Sequence, residues 1–323
     1  MIISGIDEAG YGPLLGPLVV GCCAFEITED VPAEQIPCLW KRLRRCVSKN
    51  RSKNGLKIHV NDSKLVYSTS GGLKELERSV IAMTAAAGDW CIGLNSFLDR
   101  VAPSAEQESA PYTWYRQPDG EAFPFEQDAL SIQLFARALR AEMEKSRVRC
   151  VHLSAEMVFE RRFNEMVNAT RNKGSALFSI AAIHLDRLLT AYGERGLVIV
   201  CDRQGGREHY GQLLRLMFPD WSLEIERETD GYSEYRLHQA NNCVRLIFRE
   251  KAETECMSVA LASMLSKYLR EAMMRRFNAF WLGHLPGIVP TAGYYTDGTR
   301  FLADIDPKRR ELGIAEDQIV RAR

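Results

Sequence analysis

The sequence predicts a mixed α/β fold, and three stretches carry that prediction. The chain opens with an apolar run that ends in two acids and turns through glycines. A helical pattern over 176–192 is closed by Gly193 and Gly196 and leads straight into the apolar run Leu197-Val198-Ile199-Val200-Cys201-Asp202. Short strand-like segments then alternate between 222 and 249, and a further helical stretch follows them.

Taken in order, residues 2–6 are apolar enough for a buried strand, and 18–27 give its hairpin partner across the glycine turn. A basic insertion follows, with Lys41, Arg42, Arg44, Arg45, Lys49, Arg51 and Lys53 and no acid among them. Such a run serves either as a solvated face or as a phosphate-contacting arm. Residues 73–87 predict the first helix. Between 90 and 120, Pro103, Pro111 and Pro118 interrupt the chain around Tyr112, Trp114 and Tyr115, which predicts a long loop or a small subdomain. Residues 123–146 predict a helix with Leu130, Leu134, Ala138 and Met143 near one face, 149–154 a strand, and 155–170 a helix. In 176–192, Leu177, Ile180, Ala181, His184, Leu185, Leu188 and Leu189 recur at three- and four-residue spacing, a stronger helical signal. After the strand at 197–202 come a helix over 210–217, strands over 222–227, 235–239 and 244–249, and a helix over 258–277.

With 323 residues, 46% hydrophobic and 26% charged, the chain has the composition of an ordinary globular protein with a substantial core. It contains no run of 18 apolar residues and no basic-then-apolar leader, so the expectation is a cytoplasmic protein with no membrane association. Nine cysteines without a Cys-x-x-Cys pair read as reduced thiols rather than as disulfides or a structural zinc site. Cys201, beside Asp202 but inside a β-branched run, reads as a small core residue rather than a nucleophile. His152, His184, His209 and His238 show no metal spacing; His184 reads as a hydrogen-bonded core residue, and His209 alone is a candidate for proton transfer. The formal net charge is zero and decides nothing about a polyanionic ligand.

The chemistry concentrates at Gly5-Ile6-Asp7-Glu8-Ala9-Gly10-Tyr11-Gly12-Pro13. Two carboxylates at a strand end, followed by glycines that admit close backbone approach, suit a metal-binding site; a solvated acid pair before a surface turn has the same local spacing. Further acids weigh against that bland reading. Asp202 ends the second apolar run, and Lys251-Ala252-Glu253 precedes an Ala-Ser-rich helix, Ser258-Val259-Ala260-Leu261-Ala262-Ser263-Met264-Leu265-Ser266-Lys267-Tyr268-Leu269-Arg270-Glu271.

These three motifs, in this order, resemble those of the type 2 ribonucleases H, the ribonuclease HII and HIII enzymes. Asn61-Asp62-Ser63-Lys64-Leu65 resembles the family's Asp-Ser-Lys segment, and together the matches cover about a third of the chain. The resemblance implies a ribonuclease H-like fold, a central mixed sheet flanked by helices. It implies a catalytic domain over 1–280 carrying insertions at 41–60 and 90–120, and a C-terminal segment, 281–323, that packs on it and helps bind substrate. Asp7, Glu8, Asp202 and Glu253 would be the catalytic acids and metal ligands, with Glu250 or Glu255 as substitutes for the last. Oxygen-only ligation suits Mg²⁺ or Mn²⁺ in a two-ion site. The expected activity is hydrolysis of the RNA strand of RNA/DNA hybrids, or of ribonucleotide-containing DNA, leaving 5′-phosphate and 3′-hydroxyl ends.

Substrate contacts would come from the backbone of Gly10, Tyr11 and Gly12, which can read a 2′-hydroxyl, and from Lys64, Lys267 and Arg270 at phosphates. Tyr294, with Tyr295 in reserve, would pack on the sugar. Lys267 is also placed for an i,i+4 pair with Glu271, and each tyrosine for an ordinary packing role. Two departures bear on subtype. Tyr11 stands where HII enzymes carry arginine between the turn glycines, and Glu253 stands where they carry aspartate, as HIII enzymes do not. The motif opens at residue 5, so the extra N-terminal domain of HIII enzymes is not expected. A ribonuclease H-like nuclease with another substrate, and a non-cleaving nucleic-acid-binding relative, are the competing readings.

Overall fold

The computed structural model describes residues 1–32, 35–52, 54–67 and 72–322, so Lys53 of the basic run lies outside the described residues. Strand β1 (Ile2–Ala9) and strand β2 (Leu18–Ile27) form the opening hairpin. The basic insertion holds helix α1 (Leu39–Arg42) and the short parallel pair β3 (Val47–Ser48) and β4 (Ile58–His59). Its Leu39, Leu43, Val47, Ile58 and Val60 are buried in the main core, so the segment is anchored from within, with Lys41, Arg44, Arg45, Lys49 and Arg51 exposed. Helix α2 (Ser63–Val66) is capped by Asp62, and helix α3 (Lys74–Ala87) carries Glu75 and Glu77 in its first turn.

Residues 90–120 are more regular than their prolines imply. Helix α4 (Leu94–Val101) buries Leu94, Phe97, Leu98 and Val101, an i, i+3, i+4, i+7 stripe, and helix α5 (Ala105–Ser109) follows. Tyr112, Trp114 and Tyr115 then turn inward as an aromatic cluster. Helix α6 (Ala129–Lys145) starts at Asp128, whose side chain accepts the Ser131 amide at 2.7 Å; the predicted start at 123 fails because 123–127 is a loop whose amides at Phe125, Glu126 and Gln127 are held by the buried Glu77 carboxylate.

Strand β5 (Val148–Val158) runs through residues expected to be helical, because its pairing with β2 continues to Leu18 opposite Val158. Helix α7 (Glu160–Thr170) begins only after that, and helix α8 (Lys173–Tyr192) follows. Strand β6 (Leu197–Asp202), helix α9 (Gly211–Met217) and strands β7 (Ser222–Thr229), β8 (Tyr232–Gln239) and β9 (Asn242–Arg249) complete the sheet. Helix α10 (Met257–His284) and helix α11 (Tyr295–Glu311) end the chain, and α11 was not predicted.

The sheet is mixed, in the order β5-β2-β1-β6-β9-β8-β7. Strand β1 is antiparallel to β2 and parallel to β6, and β6 is parallel to β9. One face packs on α8, whose buried Leu177, Ile180, Ala181, Leu185 and Leu188 join Ile6, Cys22 and Ile199 of the strands. The other carries α10, which crosses β1 and β2 at unusually close range. A Cβ on Gly5 would lie 2.1 Å from the Val259 nitrogen, and one on Gly21 would lie 2.6 Å from the Ala262 carbonyl oxygen, so glycine at both positions is what lets helix backbone meet sheet backbone. Among the described residues no helix is long and apolar enough to cross a membrane. All nine cysteines are free thiols.

Candidate active site

Parallel pairing of β1 with β6 sets Ile6 opposite Cys201, so Asp7 and Asp202, the next residues, stand side by side at neighbouring strand ends. Strand β1 stays paired with β2 through Ala9, and the Asp7 and Glu8 carboxylates at its end are still near enough for the Glu8 charge to raise the Asp7 carboxyl. Asp7 turns toward α10, where Ser263, whose hydroxyl donates to Ser63 Oγ at 3.0 Å, lowers the pKa of its carboxyl, and Ser266 Oγ donates to its carbonyl oxygen at 3.1 Å. Glu8 bears on Tyr11 and Tyr210 instead. Glu253 arrives on a helical turn, Ala252–Thr254, entered through Lys251 in the left-handed region at φ 55°. The Ala252 amide donates to Asp202 Oδ1 at 3.0 Å, fixing that turn to the end of β6.

The four acids sense one another. Burial, then the charges of Glu8 and Asp202, push the Asp7 carboxyl well above the ordinary range. Burial, and next Asp202, raise Glu8 to about 8, while the Lys64 ammonium opposes the shift. Burial also raises Asp202, against the Ala252 amide and a hydrogen bond with Glu253. Glu253 rises to about 7, through burial and the charges of Asp202 and Asp62. Its Oε2 is buried without any hydrogen-bond partner. A buried, orphaned carboxylate oxygen amid mutually repelling acids is the environment a divalent cation relieves, and the donor set is oxygen-only, as Mg²⁺ or Mn²⁺ prefers. The substitutes Glu250 and Glu255 are turned to solvent and face Lys251 and Arg249 at 3.9 and 3.8 Å.

The candidate substrate residues divide. Gly10 adopts φ 90°, and a Cβ there would meet the Arg270 side chain at 2.8 Å; Gly12 has open space around it. Lys64 is exposed on α2 and its charge reaches both Glu8 and Asp202. Lys267 is paired with Glu271 at 2.7 Å, the i,i+4 alternative, with its ammonium 4.6 Å from the Tyr67 ring centroid. Arg270 is not available to a phosphate. It is 1% exposed and donates to the carbonyls of Leu15 at 3.2 Å and Ala292 at 2.9 Å, strapping the glycine turn to the C-terminal segment. Tyr294 is 51% exposed beside that strap, its ring 5.6 Å from the Arg270 guanidinium, and Tyr295 is 55% exposed. The C-terminal segment also reaches the turn directly: the amides of Leu14 and Leu15 donate to Gly293 O, and the Arg321 amide donates to Leu14 O.

His209 is bound to Glu228 on β7 at 2.8 Å. The fold does gather two other histidines, which no sequence spacing reveals: Cys22, His152 and His184 hold ligand atoms within 4.8 Å of one another on the α8 face, the only such trio among the described residues. The four acids are spread more widely. In the trio, His184 Nε2 is bonded to Val20 O at 2.9 Å, and burial lowers its pKa to about 3, so it is the neutral core histidine expected. Sequence reading missed Ser263, Asp62 and a cleft beside Tyr11 lined by Lys173, Gln204 and Arg207. Ser263, on the face of α10 one turn before Lys267, and Asp62, in the segment that carries Lys64, both lie in stretches the sequence singles out, whereas the cleft had no legible signal.

No protein-family model matches the sequence, and no curated protein matches it. Solved structures do. The chain is similar to the PCNA–RNase HII complex from Archaeoglobus fulgidus, with 15% identity over 100% of this chain and 95% of that one at a TM-score of 0.44. It is similar to ribonuclease H2 from Pyrococcus horikoshii, with 12% identity over 99% and 92% of the two chains at 0.39. It is similar to Bst-RNase HIII in complex with Mn²⁺, with 13% identity over 99% and 66% at 0.41. All three are type 2 ribonucleases H, the class whose motifs the sequence resembles. At these identities the likeness assigns a role to no residue here.

Proposed function

We propose that this protein is a divalent-metal-dependent endonuclease that hydrolyses the RNA strand of RNA/DNA hybrids, leaving 5′-phosphate and 3′-hydroxyl ends. The observation that supports it best is the acid cluster: Asp7 and Asp202 abreast on parallel strands, Glu8 and Glu253 beside them, and a buried Glu253 oxygen with no partner. Bound Mg²⁺ or Mn²⁺ would neutralise the acids, activate a water and stabilise the leaving 3′-oxygen. The residues of the chain supply position. Asp7, Glu8, Asp202 and Glu253 hold the ions, Lys64 adds a positive charge next to Glu8 and Asp202, and the Gly10–Tyr11–Gly12 backbone offers a 2′-hydroxyl its contact.

The test is cleavage of an end-labelled RNA/DNA hybrid with Mg²⁺ or Mn²⁺ and analysis of the ends. Asp202→Asn should abolish cleavage and leave the circular-dichroism spectrum unchanged. An Asp202→Asn protein with near-natural activity would remove that residue from the metal set, and no metal-dependent cleavage of the hybrid by the natural protein would overturn the function. The same assay compares a continuous hybrid with a duplex holding one ribonucleotide. An arginine fork at position 11 would grip a phosphate with charge-assisted bonds worth about 1.5–3 kcal/mol, so its replacement by Tyr11 predicts roughly ten- to hundredfold weaker junction recognition and a preference for continuous hybrids. Preference for the single ribonucleotide, unaltered in Tyr11→Arg, would mean that residue 11 does not read the junction.

A further inference from the structure

Next to the acids, but outside them, lies a cleft of about 440 Å³ between the amino end of α8 and the loop that follows β6. Tyr11 is its wall on the acid side. Gly205 and Gly206, both in the left-handed region at φ 58° and 77°, fold the loop so tightly that a Cβ on Gly205 would lie 3.2 Å from Tyr11 Oη. Lys173 places its ammonium 5.0 Å from the centre of the Tyr11 ring and 5.6 Å from that of Phe163. Arg207 makes one long contact, to Ser175 Oγ at 3.5 Å. Among the described residues neither cation has a carboxylate within ion-pair distance.

The helix end is also open. Asn172 Oδ1 caps the Ser175 amide at 2.9 Å, and the amides of Lys173 and Gly174 ahead of it, in the first turn of a 20-residue helix, have no acceptor within the helix. An independent feature points to a ligand. Gln204 is 2% exposed, lines this cleft, and its side-chain Oε1 has no hydrogen-bond partner. Rotation of the terminal amide presents its N–H₂ to the same place. Two unpaired cations, a positive helix end and an unsatisfied buried amide around one cavity make a receptor for a tetrahedral anion, and the burial and Arg321 charge that push the Lys173 pKa down would be relieved by one.

We propose that this cleft binds a phosphate group of the nucleic-acid backbone next to the one that is cut, held by Lys173, Arg207 and the first amides of α8, with Tyr11 separating it from the acids. The inference rests on the nuclease reading above and deepens it. It also gives Tyr11 a different part from the arginine it replaces: charge at this place comes from two other elements, and the tyrosine shapes the pocket they surround.

Binding of the hybrid is measured by fluorescence anisotropy without divalent metal, so that affinity is read apart from cleavage, on a series of hybrids each carrying one neutral methylphosphonate. The natural protein should lose about tenfold in affinity at one position close to the cut. Lys173→Gln/Arg207→Gln should bind the unmodified hybrid correspondingly more weakly, lose about two units from the salt slope, and show no further loss at that position. Its KM should rise with kcat held. Interference at the same position, and of the same size, in the natural and doubly substituted proteins would overturn the proposal. Inorganic phosphate supplies the independent arm, followed by calorimetry. If the hybrid is neither bound nor cut, the nuclease reading has failed, whereas phosphate binding that disappears in the double variant still upholds the anion cleft, and its absence refutes the cleft as well. Micromolar affinity for inorganic phosphate would assign the cleft to the free anion and overturn the backbone role.

Discussion

At Glu8 and Glu253 the carboxyl groups are held at about 8 and about 7, where an ordinary glutamate has 4.5. A carboxyl whose pKa is higher in the folded state binds its proton more tightly there, so these groups cost stability as the pH rises from the ordinary range through the raised one. The metal-free protein should therefore lose stability between about pH 5 and 8. The ionised acids are the form that would hold Mg²⁺ in the proposed site, so the stabilising effect of Mg²⁺ should be larger at pH 8 than at pH 6. Thermal unfolding at both pH values, with and without Mg²⁺, checks this. A Tm that is flat with pH and raised equally by Mg²⁺ at both would show that neither burial nor mutual repulsion raises these carboxyls in the folded protein. Asp202→Asn removes one of the repelling charges and should flatten the metal-free profile.

Among the elements, the contact of α10 with β1 and β2 is the most restrictive. Gly5→Ala drives a methyl group into helix backbone, which cannot yield as a side-chain tip can, and should cost roughly 3 kcal/mol or more. Gly12→Ala, with nothing within 4 Å, should stay within about 0.5 kcal/mol. Urea unfolding of the two variants separates them, and equal midpoints would mean the helix can lift off the sheet. The same contact explains what the sequence disclosed. Strands 18–27 and 197–202 were readable to the residue because each is a continuous buried run, and the four acids proposed for the site stood out in the sequence because they lie at the end of such a run or shortly before a helix. The Ala155-Glu156-Met157-Val158 stretch misled because its residues favour helices locally, while ten rungs of pairing with β2 prevail in the fold. Arg270 misled because a cation late in an Ala-Ser-rich helix looks exposed until the C-terminal segment closes over it. The cleft at Lys173 and Arg207 was illegible for a simpler reason. It exists only where a helix start and a distant loop meet, and neither has a pattern of its own.

For the whole molecule, the C-terminal segment is part of the core rather than an appendage. Phe301, Ile305 and Ile319 are fully buried in the main cluster. Arg321 is 1% exposed and donates to Gly16 O at 3.2 Å and to Tyr11 O at 3.0 Å, a second strap across the turn that Arg270 holds from α10. Burial and the Arg270 charge push its pKa down to about 10. Arg321→Lys keeps the charge but loses the two-pronged reach, so it should cost about 2 kcal/mol and lower hybrid cleavage, chiefly through KM. Chemical unfolding and steady-state kinetics on one preparation test both halves. Natural KM in a destabilised Arg321→Lys protein would restrict the strap to a packing role.

The strap between Arg321 and the turn at 11–16 joins residues 305 and 310 positions apart in sequence. A contact of that range forms only after a very long loop has closed, and the entropy of closure must be overcome before the hydrogen bonds are gained. The hairpin of β1 and β2 needs no such search. In refolding, the turn beside the acids should therefore receive its last restraint after the strands that carry those acids have paired.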